Sequence, residues 1–227
     1  MLTKTQTFLV AGLAAVAISA PAHAWDNYEN ILAGYYAGPS VSGTMGFAHL
    51  FSNFPIAFEG EVGHSWTDPG DAVRVRHVFI NDTTTGDDDA QKDGSIWDVG
   101  INAVYPLNES YGPVKFFVFA GPRYAHYDGH FEYVNGNEDF DITANSWGLG
   151  GGLRGVLPLS QRFNAVMQLG LDYYFPTSIY GHDATYYPNN NNINARTENN
   201  YTFTYADAAS ATNVPRLRPR VMIGLQW

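Results

Sequence analysis

The 227-residue chain contains no cysteine. That excludes a disulfide scaffold and any cysteine-ligated zinc or iron–sulfur centre. Basic residues are scarce: 12 Lys and Arg stand against 22 Asp and Glu, for a formal net charge of −10. Binding along a phosphate backbone needs a basic footprint, so nucleic acid is excluded as a partner. After the first two dozen residues no stretch approaches the ~20 apolar residues of a membrane-spanning helix. Charged residues make up only 15% of the chain, well below the ~25% of ordinary soluble domains. Much of the surface is therefore not solvated in the usual way. Hydropathy of this kind is blind to membrane strands, which need only ~9–11 residues with alternating faces.

What is present begins with an address. Met1-Leu2-Thr3-Lys4 is a short positive segment, Phe8 to Ile18 is apolar, and Ala22-His23-Ala24 follows. This is the layout of a secretory signal peptide with a small-residue cleavage site. Residues 1–24 are expected to be removed, leaving 25–227 as one domain.

From Trp25 onward no helical period is convincing. Apolar and polar or small residues alternate instead, in segments of about ten. In the clearest, Phe163, Ala165, Met167, Leu169, Leu171 and Tyr173 share one face, while Asn164, Gln168, Gly170 and Asp172 share the other. The same reading gives eight strands, at about 28–37, 41–51, 56–66, 95–105, 114–127, 145–157, 163–175 and 214–227. The first is the least regular, and Gly38-Pro39-Ser40 reads equally as a break within one longer strand. Short connections (52–55, 106–113, 158–162) alternate with long polar ones (66–94, 128–144, 176–213). Long structureless loops are unusual in a compact soluble domain. Gathered at one end of an up-and-down sheet, they fit an outer-membrane barrel with short periplasmic turns and long external loops.

If the apolar faces meet lipid, the opposite faces line a lumen. The lumen set is then Glu59, Glu61, Asp98, Asn102, Lys115, Arg123, Arg154, Gln168, Asp172, Arg216, Arg218 and Arg220, with six bases against four acids. Buried charges must pair, so the set reads as a salt-bridged plug or, alternatively, as an ion-selective constriction with a modest positive excess. A soluble barrel would reverse the faces, and parity alone does not separate the two. The aromatics point to lipid outside. Trp66, Trp97, Trp147, Tyr173 and Phe175 lie at strand ends beside the long loops; Phe47, Phe51, Tyr105, Phe163 and Trp227 lie beside the short turns. Together they suggest two aromatic girdles.

The chain ends on Val221, Ile223, Leu225 and Trp227, alternating up to an aromatic carboxy-terminus. Here, and in Phe58-Glu-Gly-Glu-Val-Gly63 and Phe119-Ala-Gly-Pro-Arg-Tyr124, the sequence resembles the bacterial outer-membrane β-barrel family, the small eight-stranded OmpA/OmpX/opacity-like barrels. The resemblance implies an all-β fold, an eight-stranded antiparallel up-and-down transmembrane β-barrel. It further implies that Val221, Ile223, Leu225 and Trp227 act as the insertion signal read by the barrel-assembly machinery. No tethering domain is expected after Trp227. Membrane lipids and lipopolysaccharide are the expected surroundings, in the outer membrane of a Gram-negative cell.

A barrel pattern specifies fold better than function, so three functions remain open. The first is a structural or surface-interaction role, with loops touching host surface molecules. The long loops hold 15 of the 22 acids, and the last is rich in Tyr180, Tyr186, Tyr187, Tyr201 and Tyr205 interleaved with Asn, an adaptable contact chemistry. The second is a narrow ion channel. The third is a lipid A-modifying enzyme, for which His126, Asp128 and His130 are the nearest acid–base or metal candidates, with His49 and the adjacent His64-Ser65 less suited. On a strand His64 and Ser65 point to opposite faces. The run Asp87 to Gly94 lacks EF-hand spacing. No cofactor, metal or catalytic residue is assigned.

Overall fold

The structure, a computed structural model, describes residues 27–48, 55–80, 90–133, 138–187, 190–196 and 205–227. Ten strands and two helices are defined there: β1 (Asn27–Tyr36), β2 (Pro39–Phe47), β3 (Ala57–Trp66), α1 (Ala72–Ile80), β4 (Ala90–Tyr111), β5 (Val114–Tyr133), β6 (Glu138–Pro158), β7 (Asn164–Tyr174), β8 (Ile179–Tyr187), β9 (Asn190–Arg196), α2 (Tyr205–Ala211) and β10 (Leu217–Gln226). Eight of the strands close a barrel. The antiparallel order runs β5-β4-β3-β2-β1-β10-β7-β6, and β6 pairs back onto β5. First and last strands meet, with Ile31 opposite Leu225 and Ala33 opposite Ile223.

The closed barrel agrees with the sequence expectation, but several boundaries move. Gly38-Pro39 is a true break: Tyr35 pairs with Pro39 across a tight turn in which Ala37 adopts φ 64°. β4, β5 and β6 run 20–22 residues, about twice the length of their neighbours. The expected loop over 128–144 is therefore mostly strand, with Asp128 opposite Thr143 and Tyr133 opposite Glu138. The expected loop over 176–213 carries β8, which extends the upper half of β6, then β9 and α2. Along β5 and β6 alternation continues through 128–144, but the polarity of the two faces exchanges, which hides these stretches from a search for one repeating pattern.

At barrel level the outward face is apolar. Ile31, Val99, Ile101, Leu149, Leu153, Leu169, Leu171, Val221 and Ile223 are all exposed. Most of the expected girdle residues are exposed on that face too, among them Trp66, Trp147, Tyr173, Phe47, Tyr105 and Phe163; Phe51 lies outside the described residues. His64 is pressed between Trp66 and Trp97, with ring centroids 4.7 and 4.4 Å away. Its neighbour Ser65 faces inward and bonds Ser40 at 2.9 Å, as alternation requires.

Above Asp98 and Arg123 the pattern inverts. The inward residues Ile96, Ala125, Tyr127, Phe131, Tyr133, Phe140, Ile142 and Ala144 form a buried apolar cluster. Val75 and Phe79 of α1 and Ala208 and Ala211 of α2 complete it from above. The outward residues of the same strand segments, including Asp128, His130, Glu132 and Asp141, are polar. The helices are pinned as well as packed. Tyr127 Oη donates to Pro69 O at 2.5 Å and Tyr133 Oη to Ala72 O at 2.7 Å. Asp71 N–H donates to Ala211 O, and Asn213 N–H to Pro69 O.

Each of these tyrosine bonds should contribute about 1 kcal/mol, the net worth of a buried hydrogen bond. Replacing both Tyr127 and Tyr133 by Phe is expected to speed amide hydrogen exchange in α1 by roughly tenfold or more, with barrel amides unchanged. Equal exchange in α1 would show that packing alone holds the cap.

Candidate functional site

The polar inward positions converge on one layer at mid-barrel. Glu59 and Glu61 come from β3, Asp98 and Asn102 from β4, Arg123 from β5, Arg154 from β6, Gln168 and Asp172 from β7, and Arg220 from β10; all nine are buried. The sequence-predicted lumen set is thus largely brought together. Three members are not. Lys115 is exposed near the turn between β4 and β5, and Arg216 is exposed before β10 begins. Arg218 sits half-buried near the cap and donates to Asn213 O. Parity is correct for all three, but they lie beyond the closed section. The described layer therefore holds three bases against four acids, and the expected positive excess is replaced by one surplus carboxylate.

Two centres organise the layer. Arg154 grips Glu59 through both terminal nitrogens, at 2.6 and 2.8 Å, and reaches Gln168 at 3.1 Å. Arg220 donates to Glu61 and, at 2.7 Å, to Asp172, with Asp98 at 3.8 Å. Arg123 lies 3.8 Å from Glu61 and 3.6 Å from Asp172, and donates to Asn102 Oδ1 at 2.6 Å. The Asn102 amide links the centres by donating to Glu59 at 3.0 Å and Glu61 at 3.1 Å. Sequence reasoning misses Asn30, which donates to Thr44 at 2.5 Å and lies 3.5 Å from Glu59. It also misses Tyr36, whose ring lies 4.9 Å under the Arg220 guanidinium and whose hydroxyl meets that of Tyr174. Their inward parity on β1, β2 and β7 is the available signal.

Space for this layer comes from glycine. A Cβ on Gly100 would stand 2.5 Å from Arg123 Nη1, and one on Gly150 would strike the Asp172 carboxylate and lie 2.8 Å from Arg123 Nε. The void beside Tyr36, Glu61, Asp98 and Arg220 measures about 10 Å³, hardly enough for one water. Chemically, the layer fills and braces the barrel, and the apolar cap closes it above.

The outer histidines do not form one centre. His126 lies on the outward face, 3.2 Å from Asp128 and 2.7 Å from Asn145 Oδ1. His130 binds a different acid, Asp141, at 2.7 Å. No group of three His, Asp or Glu with metal-site geometry occurs among the described residues. Part of the acidic run, Asp87 to Asp89, lies outside them, as do His49, Tyr201 and the signal segment. Lys92 of that run instead clamps Asp68, at 3.0 Å to both carboxylate oxygens.

No protein-family model and no curated protein sequence matches the chain. Among solved structures it is similar to a major outer membrane protein from Thermus thermophilus, at 20% identity over 90% of this chain and 99% of that one, with a TM-score of 0.73. This is the eight-stranded β-barrel fold of outer-membrane proteins. Neisserial surface protein A (NspA) aligns at 12% identity over 88% of this chain and 92% of its own, with a TM-score of 0.43. The likeness to the Thermus protein carries the fold, and the fold is what it carries.

Two predictions test the interior and the cap. Glu59→Leu or Arg154→Met alone strands a buried charge and should cost about 3–5 kcal/mol. The double variant should recover most of that loss, read by urea unfolding of the refolded barrel. Additive losses would show that the pair is not the unit. In the cap, burial alone would raise the Asp68 pKa, but the Gly70 N–H and the Lys92 ammonium lower it overall. A carboxylate lowered in the folded state stabilises fully above its unfolded pKa of ~3.9, and that stabilisation fades as pH falls through the lower folded value. Gly70 amide exchange should therefore quicken below about pH 4 in the parent, and Asp68→Asn should abolish that pH step.

Proposed function

We propose that this protein is an outer-membrane barrel whose working surface is its external cap, and that its interior is a brace and not a transport route. The observation that carries the reading is the double closure of the lumen. An ion-paired layer fills the mid-barrel, and an apolar cluster under α1 and α2 lies above it. An eight-stranded barrel is just wide enough for its side chains to fill, so no bore is left for a hydrated ion.

In this reading residues 1–24 direct export and are cleaved. The barrel-assembly machinery then inserts the chain through its Val221–Trp227 strand. The outward apolar belt meets lipid and the external leaflet's lipopolysaccharide. The cap, built on β4, β5, β6 and β8, presents an acidic and tyrosine-bearing surface to molecules outside the cell, host surfaces included. Its rigidity supports that role, because a pinned surface loses less entropy on binding than a loose loop.

Planar-bilayer recording of the refolded mature chain tests this. No unitary conductance is expected over ±150 mV (roughly, the range such bilayers tolerate). Reproducible single-channel steps, abolished by replacing Arg123 or Arg220, would instead establish the narrow-channel reading.

A further inference from the structure

The ionic layer does not balance, and the imbalance has a definite place. Arg154 and Glu59 satisfy each other, so the surplus falls in the second centre, where Glu61, Asp98 and Asp172 face Arg123 and Arg220. Hydrogen bonding shows which acid is left over. Glu61 accepts from Arg220 and Asn102, and Asp172 accepts from Arg220. Asp98 is 2% exposed, yet its one charge contact among the described residues is Arg220 at 3.8 Å, a base already spent on the other two acids. Its Oδ2 has no hydrogen-bond partner there.

A niche of about 10 Å³ adjoins this carboxylate, with Ser42, Glu61, Gly63 and Ser65 among its walls. Strand register places it. Ser42, Gly63 and Asp98 lie in one row across β2, β3 and β4, and Ser65 pairs with Ser40 in a neighbouring row. Gly63 makes the room, because a Cβ there would strike the Asp98 carboxylate. Ser42 is buried, and its Oγ has no partner among the described residues. Ser65 Oγ meets Ser40 Oγ at 2.9 Å, and Ser40 donates onward to Gly38 O at 2.8 Å. A hydroxyl has one proton, so Ser65 is the donor to Ser40 and its own lone pairs stay open. The niche is thus walled by oxygen acceptors beside one unmet negative charge. A water could donate to these oxygens, but it is neutral and would leave the buried charge uncompensated. Ca²⁺ takes roughly 6–8 oxygen ligands and Mg²⁺ keeps several waters, more than this space supplies or admits.

We propose that this niche is a binding site for one small monovalent cation, sodium, held by Asp98 Oδ2, Ser42 Oγ and Ser65 Oγ. The ion completes the charge balance of the layer and so braces the barrel from within. The site lies in the interior and is independent of any role the cap has.

The test is urea unfolding of the refolded mature barrel, with sodium chloride exchanged for choline chloride at constant ionic strength. Choline is too large for the niche. The parent should be stabilised as sodium rises, and above the dissociation constant each tenfold increase should shift the equilibrium about tenfold towards the folded state. Asp98→Asn keeps the shape and removes the charge, so it should abolish the sodium response. Ser42→Ala should raise the sodium concentration needed for half the effect roughly tenfold, the order expected for losing one dipole that faces a charge. A parent that is equally stable in sodium and in choline, or an Asp98→Asn response as large as the parent's, overturns the site. So does an infrared carbonyl stretch of a protonated carboxylic acid, seen at neutral pH with sodium present and removed by Asp98→Asn, because a proton then takes the ion's place. Should Asp98→Asn fail to fold, Ser42→Ala decides alone, and an unchanged sodium requirement there sinks the assignment.

Discussion

Seven ionisable side chains share the middle of this barrel, and the rest of the structure depends on their pairing. Stranding one of these charges costs about 3–5 kcal/mol, a large fraction of an ordinary protein's stability. The pairing is therefore a constraint on the whole closed sheet. Asn30, Thr44, Glu59, Asn102, Arg123, Arg154, Asp172 and Arg220 come one from each barrel strand and join a single hydrogen-bonded and ionic layer. A slip of one residue in any strand would turn its member outward to lipid and strand its partners. The layer thus fixes register around the full circumference. The glycines at 100 and 150 follow from it, because a larger residue would displace Arg123 or Asp172.

The second organising fact is that inside and outside exchange character partway up the wall. In the lower section, charge is inside and hydrocarbon outside. In the upper section of β4, β5 and β6, hydrocarbon is inside and charge outside. The lower section suits lipid. The upper section obeys the ordinary rule for a protein in water, and so needs a core. α1 and α2 supply it. The changeover runs through the level of Trp97 and His126, which pair directly across β4 and β5.

How much of this is legible in the sequence depends on which section is considered. The apolar parity of Leu169, Leu171, Val221 and Ile223 reveals the outward face, and the opposite parity places Glu59, Glu61, Asp98, Arg123, Arg154, Asp172 and Arg220 inside. Alternation is a direct geometric property of strands, so these assignments rest on firm ground. Where each strand stops is not a property of parity. Lys115, Arg216 and Arg218 share the inward phase but stand beyond the closed section. The upper strands read as loops because Asp128, His130 and Asp141 look like loop residues until Tyr127, Phe131 and Ile142 are recognised as their inward neighbours. α1 carries Arg74, Arg76 and His77 among its apolar residues, and tertiary packing on the sheet, not its own periodicity, gives it a place.

The unequal strand lengths have a further consequence. β1, β2, β3, β7 and β10 stop near the level of the Ala37-Gly38 turn, while β4, β5 and β6 climb on and gain β8 and β9 alongside. The rim is therefore a high wall on one side and a low sill on the other. Approach to the cap is not uniform around the barrel axis. On the wall side a visitor meets the backs of the strands and their acidic and histidine side chains. On the sill side the described strands end below α1 and α2, so no barrel strand flanks the helices there. The described barrel strands therefore enclose the cap on one flank and leave the other to the helices and their connections.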